Sequence, residues 1–246
     1  MKLSVHLVTW NGAKYIPHLF KSLRQQSCKD WFLYIVDNDS KDNTVELIKK
    51  ELENFSAPYK LVINKINLGF APGHNQAYQD TDGEYFLLLN QDMYLDVDCL
   101  DKMVKFLDSN PEVAAVSPRL MKWDFAKVGS EAMSASFSDY VDALGLKIFR
   151  NRRVIEQYTQ HNWSELKNKF SSNILPVFGV SGAFPMLRRA NIEKVVFENR
   201  QFLDESYHSY KEDVDLAYRL AQAGFEARVL LDTVAYHDRT GAGPKE

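Results

Sequence analysis

The sequence predicts an α/β fold in which a mostly parallel central sheet is flanked by helices. Three observations support this prediction. Apolar runs of strand length alternate with amphipathic runs of helix length, the shorter runs are rich in β-branched residues, and polar clusters follow the early strands. Because ligands of such sheets bind at the carboxyl ends of the strands, these polar clusters are the candidate functional site.

The elements can be placed in order along the chain. Residues 3–9 are a β-branched apolar run, Asn11 and Gly12 mark a turn, and an amphipathic helix follows. The same strand-then-helix unit then recurs. Strands are predicted at residues 3–9, 31–36, 59–64, 84–90, 113–118 and 227–232. Helices are predicted at residues 16–23, 44–52, 67–78, 98–109 and 211–225, the last with Val214, Ala217, Tyr218 and Ala221 on one face and Gly224 as its stop.

A single domain over residues 1–246 is predicted, since the chain contains no internal repeat or low-complexity linker. The regular alternation fades between residues 119 and 176, where little regular structure is predicted, and it returns from residue 177 onward. The hydrophobic content of 45% is enough to form a sizeable core.

The composition argues against several classes of protein. With 30 Lys and Arg against 33 Asp and Glu, the chain lacks the basic character of a nucleic-acid-binding domain, and no nucleic-acid partner is expected. Cys28 and Cys99 stand alone in the sequence and are expected to be buried, reduced thiols. No apolar run approaches the roughly 20 residues of a membrane span, and the pattern of a signal peptide is missing. A cytoplasmic protein is therefore expected, with contact at the inner face of the cell membrane left open.

The first polar cluster, in the segment IVDNDSKDNT, contains Asp37 and Asp39 at the end of a buried strand. A carboxylate there can accept a hydrogen bond from the imino group of a uracil or thymine ring, or from a ribose hydroxyl. The alternative is structural: an Asx turn that leads into a helix capped by Ser40 or Asp42.

The second cluster, in LLLNQD, places Asn90 and Asp92 just past another buried strand. Mg²⁺ and Mn²⁺ bind through one or two carboxylates together with phosphate oxygens, so this segment fits a metal held against a diphosphate. Capping of the following helix is the alternative, and Asp96 and Asp98 are expected to serve only as turn or cap residues.

The third cluster is the acidic pair of Glu212 and Asp213 at the start of the last predicted helix. Carboxylates at a helix N-terminus are electrostatically favourable without any catalytic role, so this pair alone indicates little.

Taken together, the motifs resemble those of the family 2 glycosyltransferases, in particular bacterial rhamnosyltransferase-like enzymes of cell-surface polysaccharides. The resemblance is carried, in this order, by VTWNGAKYIPHLFKSLRQQ, IVDNDSKDNT, NLGFAPGHNQAY, LLLNQDMYLD, GVSGAFPMLRR, FLDESYHSYKEDVDLAYRLAQAGF and VAYHDRTGAG. It implies the GT-A fold, which is the fold of nucleotide-diphospho-sugar transferases. Residues 1–118 would then be the nucleotide-sugar-binding half, and residues 119–246 the acceptor-binding and catalytic half.

The resemblance also implies roles for individual residues. Asp213 matches the catalytic base, with Glu212 beside it. Asp92 and His237 match ligands of a divalent metal, Mg²⁺ or Mn²⁺, although Asn90 stands where the family's metal-binding DxD motif has its first acid. For His237, a purely structural histidine is the alternative. The matching donor-binding residues are Thr9, Trp10, Asn11, Asp37, Asp39, Asn67, Gly69, Asn90 and Gln91. The GVSGAF segment is expected to bring its backbone near the acceptor, since Gly179 and Gly182 permit close approach, and the acceptor-binding candidates are Gly179, Ser181, Gly182 and Ala183. Glycines that merely turn the chain are the alternative.

The implied reaction is an inverting transfer from a dTDP- or UDP-sugar, with rhamnose one candidate sugar, to a hydroxyl of a glycan or lipid-linked acceptor. Asp213 would take the acceptor proton, and the metal would neutralise the leaving diphosphate. A helix N-terminus lowers the pKa of Asp213 whereas burial raises it, and the sequence leaves this balance open. A basic stretch fits either a solvated loop or a contact with an anionic membrane or lipid diphosphate, and it contains Lys147, Ile148, Phe149, Arg150, Arg152 and Arg153.

Two other functions stay open. A nucleotidyltransferase would also bind a nucleotide at such a sheet, but VTWNGAKY lacks the glycine-rich phosphate loop that this class needs. A noncatalytic sugar-nucleotide-binding protein would keep the fold without the reaction. The presence of both Asp92 and Asp213 argues against it, and donor hydrolysis with a divalent metal would separate the two.

Overall fold

The computed structural model describes residues 1–129, 132–207 and 211–239. The strands in these ranges are β1 (Leu3–Thr9), β2 (Trp31–Asp37), β3 (Tyr59–Ile63), β4 (Tyr85–Asn90), β5 (Met93–Leu95), β6 (Val113–Trp123), β7 (Phe137–Ala143), β8 (Leu146–Ile148), β9 (Val154–Glu156), β10 (Ile174–Val177), β11 (Met186–Arg188) and β12 (Glu226–His237). The α-helices are α1 (Ile16–Arg24), α2 (Thr44–Leu52), α3 (Phe70–Asp80), α4 (Cys99–Ser109), α5 (Trp163–Leu166), α6 (Arg189–Ile192) and α7 (Glu212–Gln222).

One large sheet organises the chain, with the strand order β10-β12-β6-β11-β4-β1-β2-β3. Strands β3, β2, β1 and β4 are mutually parallel, and β6 is parallel to β12. Strands β10 and β11 run antiparallel to their neighbours, β5 adds to β12, and β7 adds to β6. The sheet is therefore parallel in the first half of the chain and mixed in the second.

The predicted strands and long helices are present, and an α/β fold with a large central sheet and flanking helices is confirmed. The expected parallel pairing holds among β3, β2, β1 and β4 and between β6 and β12, whereas the other pairings of this sheet are antiparallel. Two strands are longer than predicted, because β6 continues to Trp123 and β12 to His237. The two extensions pair with each other, and the extension of β12 also brings His237 into the pairing with β5.

The prediction of little regular structure between residues 119 and 176 is wrong. This stretch contains the end of β6, all of β7, β8 and β9, the short helix α5 and part of β10. Sequence patterns miss these elements because most are only three or four residues long and because β8, β9 and β10 are largely half-buried or exposed. Strands this short show neither a continuous apolar run nor a clear alternation.

Of the four residues predicted to share a face of α7, only Ala217 is buried. Leu216, Ala217 and Leu220 are buried, whereas Ala221 is exposed. Gly224 follows the helix with a φ of 80°, a left-handed conformation that suits glycine and ends the helix as predicted. The position of α7 is important because its first turn carries the acidic pair.

The cysteine prediction is half right. Both thiols are free, but Cys99 is buried whereas Cys28 is only partly so. In the described ranges, no helix combines the length and the apolar character needed to cross a membrane.

Candidate active site

The ends of β1 and β2 meet through a hydrogen-bonded side-chain pair. Parallel pairing sets Thr9 opposite Asp37, and the Thr9 hydroxyl donates to an Asp37 carboxylate oxygen at 3.0 Å. The Ser40 hydroxyl donates to that same oxygen at 2.6 Å, and the other carboxylate oxygen of Asp37 accepts the Ser40 backbone N–H at 2.9 Å. Asp37 is fully buried, so this carboxylate shapes the turn that follows β2. The Asx turn and the predicted donor contact therefore involve the same side chain.

Asp39 lies apart from Asp37. It adopts a left-handed conformation with a φ of 63°, and its carboxylate pairs with the Lys41 ammonium at 2.6 Å near the surface. The structure thus places Asp37 inside the fold and Asp39 in the turn beside it. The shared role of the two acids in reading a nucleotide stays a prediction.

The loop after β1 is tied to the segment after β4 by a side-chain amide. The Gln91 side chain accepts the Trp10 backbone N–H at 2.9 Å and donates to the Trp10 carbonyl at 3.0 Å. The Asn11 backbone N–H donates to the Ser40 hydroxyl, and the Asn11 side chain accepts the Lys41 backbone N–H. Half of the Trp10 surface remains exposed, at 51%, so its ring is available at the mouth of this loop.

Asn67 and Gly69 form the turn that begins α3. The Asn67 side chain accepts the Gly69 backbone N–H at 2.9 Å, and the Gly69 carbonyl accepts from the buried Asn38 amide. Asn67 is exposed next to the turn that follows β2. These contacts place the predicted nucleotide-lining loop near Asp37 by way of Asn38.

The pairing of β5 with β12 brings Asp92 and His237 together. His237 lies opposite Met93, the residue after Asp92, and its Nε2 atom is 3.4 Å from an Asp92 carboxylate oxygen. Its Nδ1 atom is 2.9 Å from a carboxylate oxygen of Asp142, a buried residue on β7. Burial alone would lower the pKa of His237, but Asp92 and Asp142 outweigh that effect and raise it to about 10.

The pair of Asp92 and His237 fits one side of a divalent metal site. Among residues 1–129, 132–207 and 211–239, no cluster of three or more His, Cys, Asp or Glu side chains is arranged to hold a metal ion. A metal that is bound against a diphosphate needs only one or two protein ligands, because phosphate oxygens and waters complete the coordination. The contact from Asp142 to the remote ring nitrogen is the usual support for a metal-bound histidine.

Asn90 connects this segment to the predicted acceptor loop. Its backbone N–H donates to the Ala183 carbonyl at 3.2 Å, and the neighbouring Gly182 N–H donates to an Asp213 carboxylate oxygen at 3.1 Å. Backbone hydrogen bonds therefore link the segment that carries Asp92 to the acceptor loop and, through that loop, to Asp213.

Asp213 is a half-buried carboxylate with a raised pKa. Its second oxygen accepts the Val214 backbone N–H at 2.8 Å. Burial raises the pKa of Asp213, its hydrogen bonds from Gly182 and Val214 lower it, and the nearby Glu156 raises it again, so that it lies above its ordinary value. Burial therefore outweighs the two backbone hydrogen bonds in their effect on this pKa, and one of those bonds comes from the first turn of α7.

Glu212 lies deeper than Asp213. Its Oε2 atom is buried and has no hydrogen-bond partner among the described residues, and Glu212 lines a largely apolar cavity between α7 and the sheet. Burial raises the pKa of Glu212, and the charge of Asp213 adds to this effect. Two adjacent acids that both resist ionisation are typical of an acid–base site.

The predicted acceptor loop of Gly179, Ser181, Gly182 and Ala183 runs between β10 and β11. An added Cβ atom on Gly179 would lie 2.4 Å from the Ala217 Cβ, so Gly179 is needed for close packing against α7. The Ser181 hydroxyl donates to Glu156 at 3.0 Å. The close approach at Gly179 therefore serves the helix that carries Asp213.

The sequence analysis missed three charged residues at this site. Arg239 donates from Nε to Asp142 at 2.6 Å and from Nη2 to Glu156 at 2.7 Å. Asp142 and Glu156 lie in the stretch where little regular structure was predicted, and no motif marks them. Arg239 does stand within the VAYHDRTGAG segment, two residues after His237, which is the only sequence signal that could have drawn attention to it.

Comparison with known proteins identifies the family. The family model described as glycosyl transferase family 2 matches residues 4–195, which is most of the chain. The chain belongs to this family. The matched range includes β1, β2, β4 and the acceptor loop, although it ends before α7 and His237.

Similar proteins support the predicted resemblance. An O-antigen chain rhamnosyltransferase, RfbN of Salmonella typhimurium, is 26% identical over 242 residues, covering 96% of this chain and 66% of that protein. Staphylococcus aureus TarS 1-349 in complex with UDP-GlcNAc superposes with a TM-score of 0.66 at 20% identity, covering 97% of this chain and 59% of that one. A mannosyltransferase of Pyrobaculum calidifontis, solved with GDP-Man and Mn²⁺, gives 0.66 at 20% identity, covering 98% and 58%.

These structural matches confirm the GT-A fold of this family 2 chain. The chain spans less than two thirds of the length of these curated relatives: 66% of RfbN and 64% of the Bacillus subtilis glycosyltransferase YfnE.

Proposed function

We propose that this chain is an inverting glycosyltransferase that moves a sugar from a nucleoside diphosphate to an acceptor hydroxyl in cell-surface polysaccharide synthesis. The observation that carries the proposal is the linked set of residues from Asp92 and His237 through Asn90 and the acceptor loop to Asp213. Family membership and the activity in the name of RfbN support it.

In this reaction, Asp213 accepts the proton of the acceptor hydroxyl as its oxygen attacks the anomeric carbon of the donor. The bond between that carbon and the diphosphate oxygen breaks, and the nucleoside diphosphate leaves. A raised pKa makes Asp213 a better base than a free carboxylate, provided that the pH is high enough to keep it ionised. The backbone N–H groups of Gly182 and Val214 hold both carboxylate oxygens in place.

Asp92 and His237 are the residues that would hold a divalent cation, Mg²⁺ or Mn²⁺. Such a cation supplies neutralisation of the negative charge that develops on the leaving diphosphate. The presence of Mn²⁺ with the related mannosyltransferase supports this assignment. Because Asn90 replaces one acid of the family motif, Asp92 is expected to provide the essential carboxylate.

The donor is proposed to be a dTDP- or UDP-sugar, with rhamnose one candidate, and the acceptor a glycan or lipid-linked glycan. UDP-GlcNAc in the structure of TarS supports a uracil nucleotide, whereas GDP-Man in the mannosyltransferase shows that the fold also accepts a purine. The buried carboxylate of Asp37, next to the exposed Trp10 and Asn67, is the proposed centre of base recognition.

The basic stretch forms the turn of the β8–β9 hairpin, whose base contacts the acceptor loop through Leu146 and Gly179. Its cationic side chains are exposed, and Phe149 is 41% exposed among them. We propose that this hairpin contacts an anionic membrane surface at its cytoplasmic face, where each cation contributes about 1 kcal/mol. The cations concerned are Lys147, Arg150, Arg152 and Arg153.

A screen of nucleotide sugars tests the proposal. Thermal unfolding is measured with dTDP-rhamnose, UDP-GlcNAc and GDP-mannose, each with and without Mn²⁺. A donor at 100 times its dissociation constant adds about 2.7 kcal/mol to the free energy of unfolding, so the shift is readily measured. Release of the nucleoside diphosphate from the best donor then separates an enzyme from a noncatalytic binding protein. Stabilisation without any release, over a range of pH and acceptors, would favour the noncatalytic alternative.

A further inference from the structure

A chain of charged hydrogen bonds links the two ends of the site. It begins at Asp92 and His237, passes through Asp142 to Arg239, and continues through Glu156 to Ser181 in the acceptor loop. Three of its members, Asp142, Glu156 and Arg239, have no role in the proposed reaction so far.

We propose that Asp142 and Glu156, joined by Arg239, are positioning residues that hold the metal-binding histidine and the acceptor loop in register. The proposal rests on the function proposed above. Asp142 acts on His237, and Glu156 acts on Ser181 and, through the loop, on the surroundings of Asp213.

The arm through Asp142 fixes the orientation of one imidazole ring. Asp142 is 1% exposed and accepts from the Nδ1 side of His237, which leaves Nε2 facing Asp92. A bound metal would displace the proton from Nε2 and use that lone pair, while Nδ1–H stays bonded to Asp142. Two contacts from Arg239 balance the buried negative charge of Asp142, because an unpaired carboxylate there would be costly.

The arm through Glu156 fixes the acceptor loop. The same Glu156 oxygen accepts from Arg239 and from the Ser181 hydroxyl, next to the Gly182 N–H that binds Asp213. The charge of Glu156 also raises the pKa of Asp213, together with the effect of burial and against the hydrogen bonds and Lys211. Glu156 therefore acts on Asp213 in two ways: its hydrogen bond to Ser181 holds the acceptor loop, and its negative charge raises the pKa of Asp213.

Two substitutions test the roles of Asp142 and Glu156 separately. In Asp142→Asn the amide can donate to Nδ1 and move the ring proton to Nε2, so the affinity for Mn²⁺ in the presence of UDP should fall at least tenfold. In Glu156→Gln that affinity should be unchanged, while the acid limb of donor hydrolysis should move to lower pH, because a negative charge near Asp213 is removed. Asp139→Asn, an exposed position on the same strand as Asp142, is the control.

Calorimetry with Mn²⁺ and UDP measures the first effect, and the pH profile of nucleotide release from the best donor of the screen measures the second. A general loss of structure would change both readouts together in both variants, and thermal unfolding identifies it. Equal Mn²⁺ affinity in wild type and Asp142→Asn, or an unmoved acid limb in Glu156→Gln, would overturn the corresponding arm.

A ligand-free measurement keeps this inference separate from the proposed function. In protein labelled with ¹⁵N-histidine, the Nδ1–H signal of His237 should show a strong hydrogen bond, and Asp142→Asn should abolish it. The signal is assigned by its absence in His237→Gln. If this signal is the same in wild type and Asp142→Asn, the positioning role of Asp142 is wrong, whether or not a nucleotide sugar binds.

Discussion

Replacement of Asp213 by Asn separates catalysis from structure at the proposed base. Asn has nearly the same size but cannot accept the acceptor proton, so transfer should fall by about 10²–10⁴-fold. That range corresponds to about 3–5 kcal/mol of activation free energy. The side chain should stay in place, since its single oxygen can still accept one of the two backbone N–H bonds that Asp213 receives from Gly182 and Val214.

The stability of this variant follows from two opposing effects. Loss of one hydrogen bond costs about 1 kcal/mol, whereas removal of a buried charge with a raised pKa stabilises the folded state. The free energy of unfolding should therefore change by no more than about 1 kcal/mol, and donor affinity should be retained. Asp215→Asn is the matched control, because Asp215 lies in the same helical turn but pairs with Arg219 instead of the acceptor loop.

The assay compares three quantities on one preparation: the unfolding midpoint, the donor affinity and the pH dependence of turnover. Wild-type activity should fall as the pH drops through the raised pKa of Asp213, which lies above 3.8. Near-normal turnover in Asp213→Asn, with the acid limb intact, would refute the assignment of this residue as the base.

Three further predictions follow from other parts of the fold. If Asp37 reads a uracil or thymine nucleotide, GDP and ADP should bind at least about tenfold more weakly than UDP or dTDP in calorimetry, and tighter purine binding would exclude that role. Gly179→Ala should destabilise the chain by about 1–3 kcal/mol through its clash with α7, whereas Gly182→Ala, where the added Cβ has ordinary contacts, should not, as chemical denaturation can measure. Burial lowers the pKa of His74 to about 3, so at pH 5 this side chain is protonated in the unfolded state but neutral in the folded state. His74 alone should therefore lower the free energy of unfolding by about 2 kcal/mol from pH 7 to pH 5, in addition to the loss from His6, whose pKa burial also lowers. His74→Gln should remove the part due to His74, and the exposed His161→Gln should not.

Local patterns predicted much of the sheet and its helices. Strand β2 is a continuous apolar run that is buried along nearly its whole length, so its composition alone marks it. The extension of β12 to His237 is different, because it depends on pairing with β6 and β5. Such long-range pairing leaves little trace in the local sequence.

The candidate site was predicted in its parts but not in its connections. Asp92 and His237 were both proposed as metal ligands, and the pairing of β5 with β12 explains why they meet. Asp142 supports His237 from β7, which lies in a stretch without periodicity, so no sequence signal could connect them. Asp39 was grouped with Asp37 by its place after the same strand and by the family resemblance, whereas the left-handed turn separates their environments.

The affinity of the chain for its donor, with and without Mn²⁺, is the most direct test of a divalent cation held by Asp92 and His237. In wild type, calorimetry should show that Mn²⁺ strengthens binding of the best nucleotide sugar. In Asp92→Ala this dependence on metal should disappear, because His237 alone cannot replace the carboxylate. The control Asp96→Ala, which removes an exposed carboxylate four residues further on, should behave like wild type. Equal donor affinity in wild type and Asp92→Ala, both with and without metal, would show that Asp92 does not hold a metal against the donor.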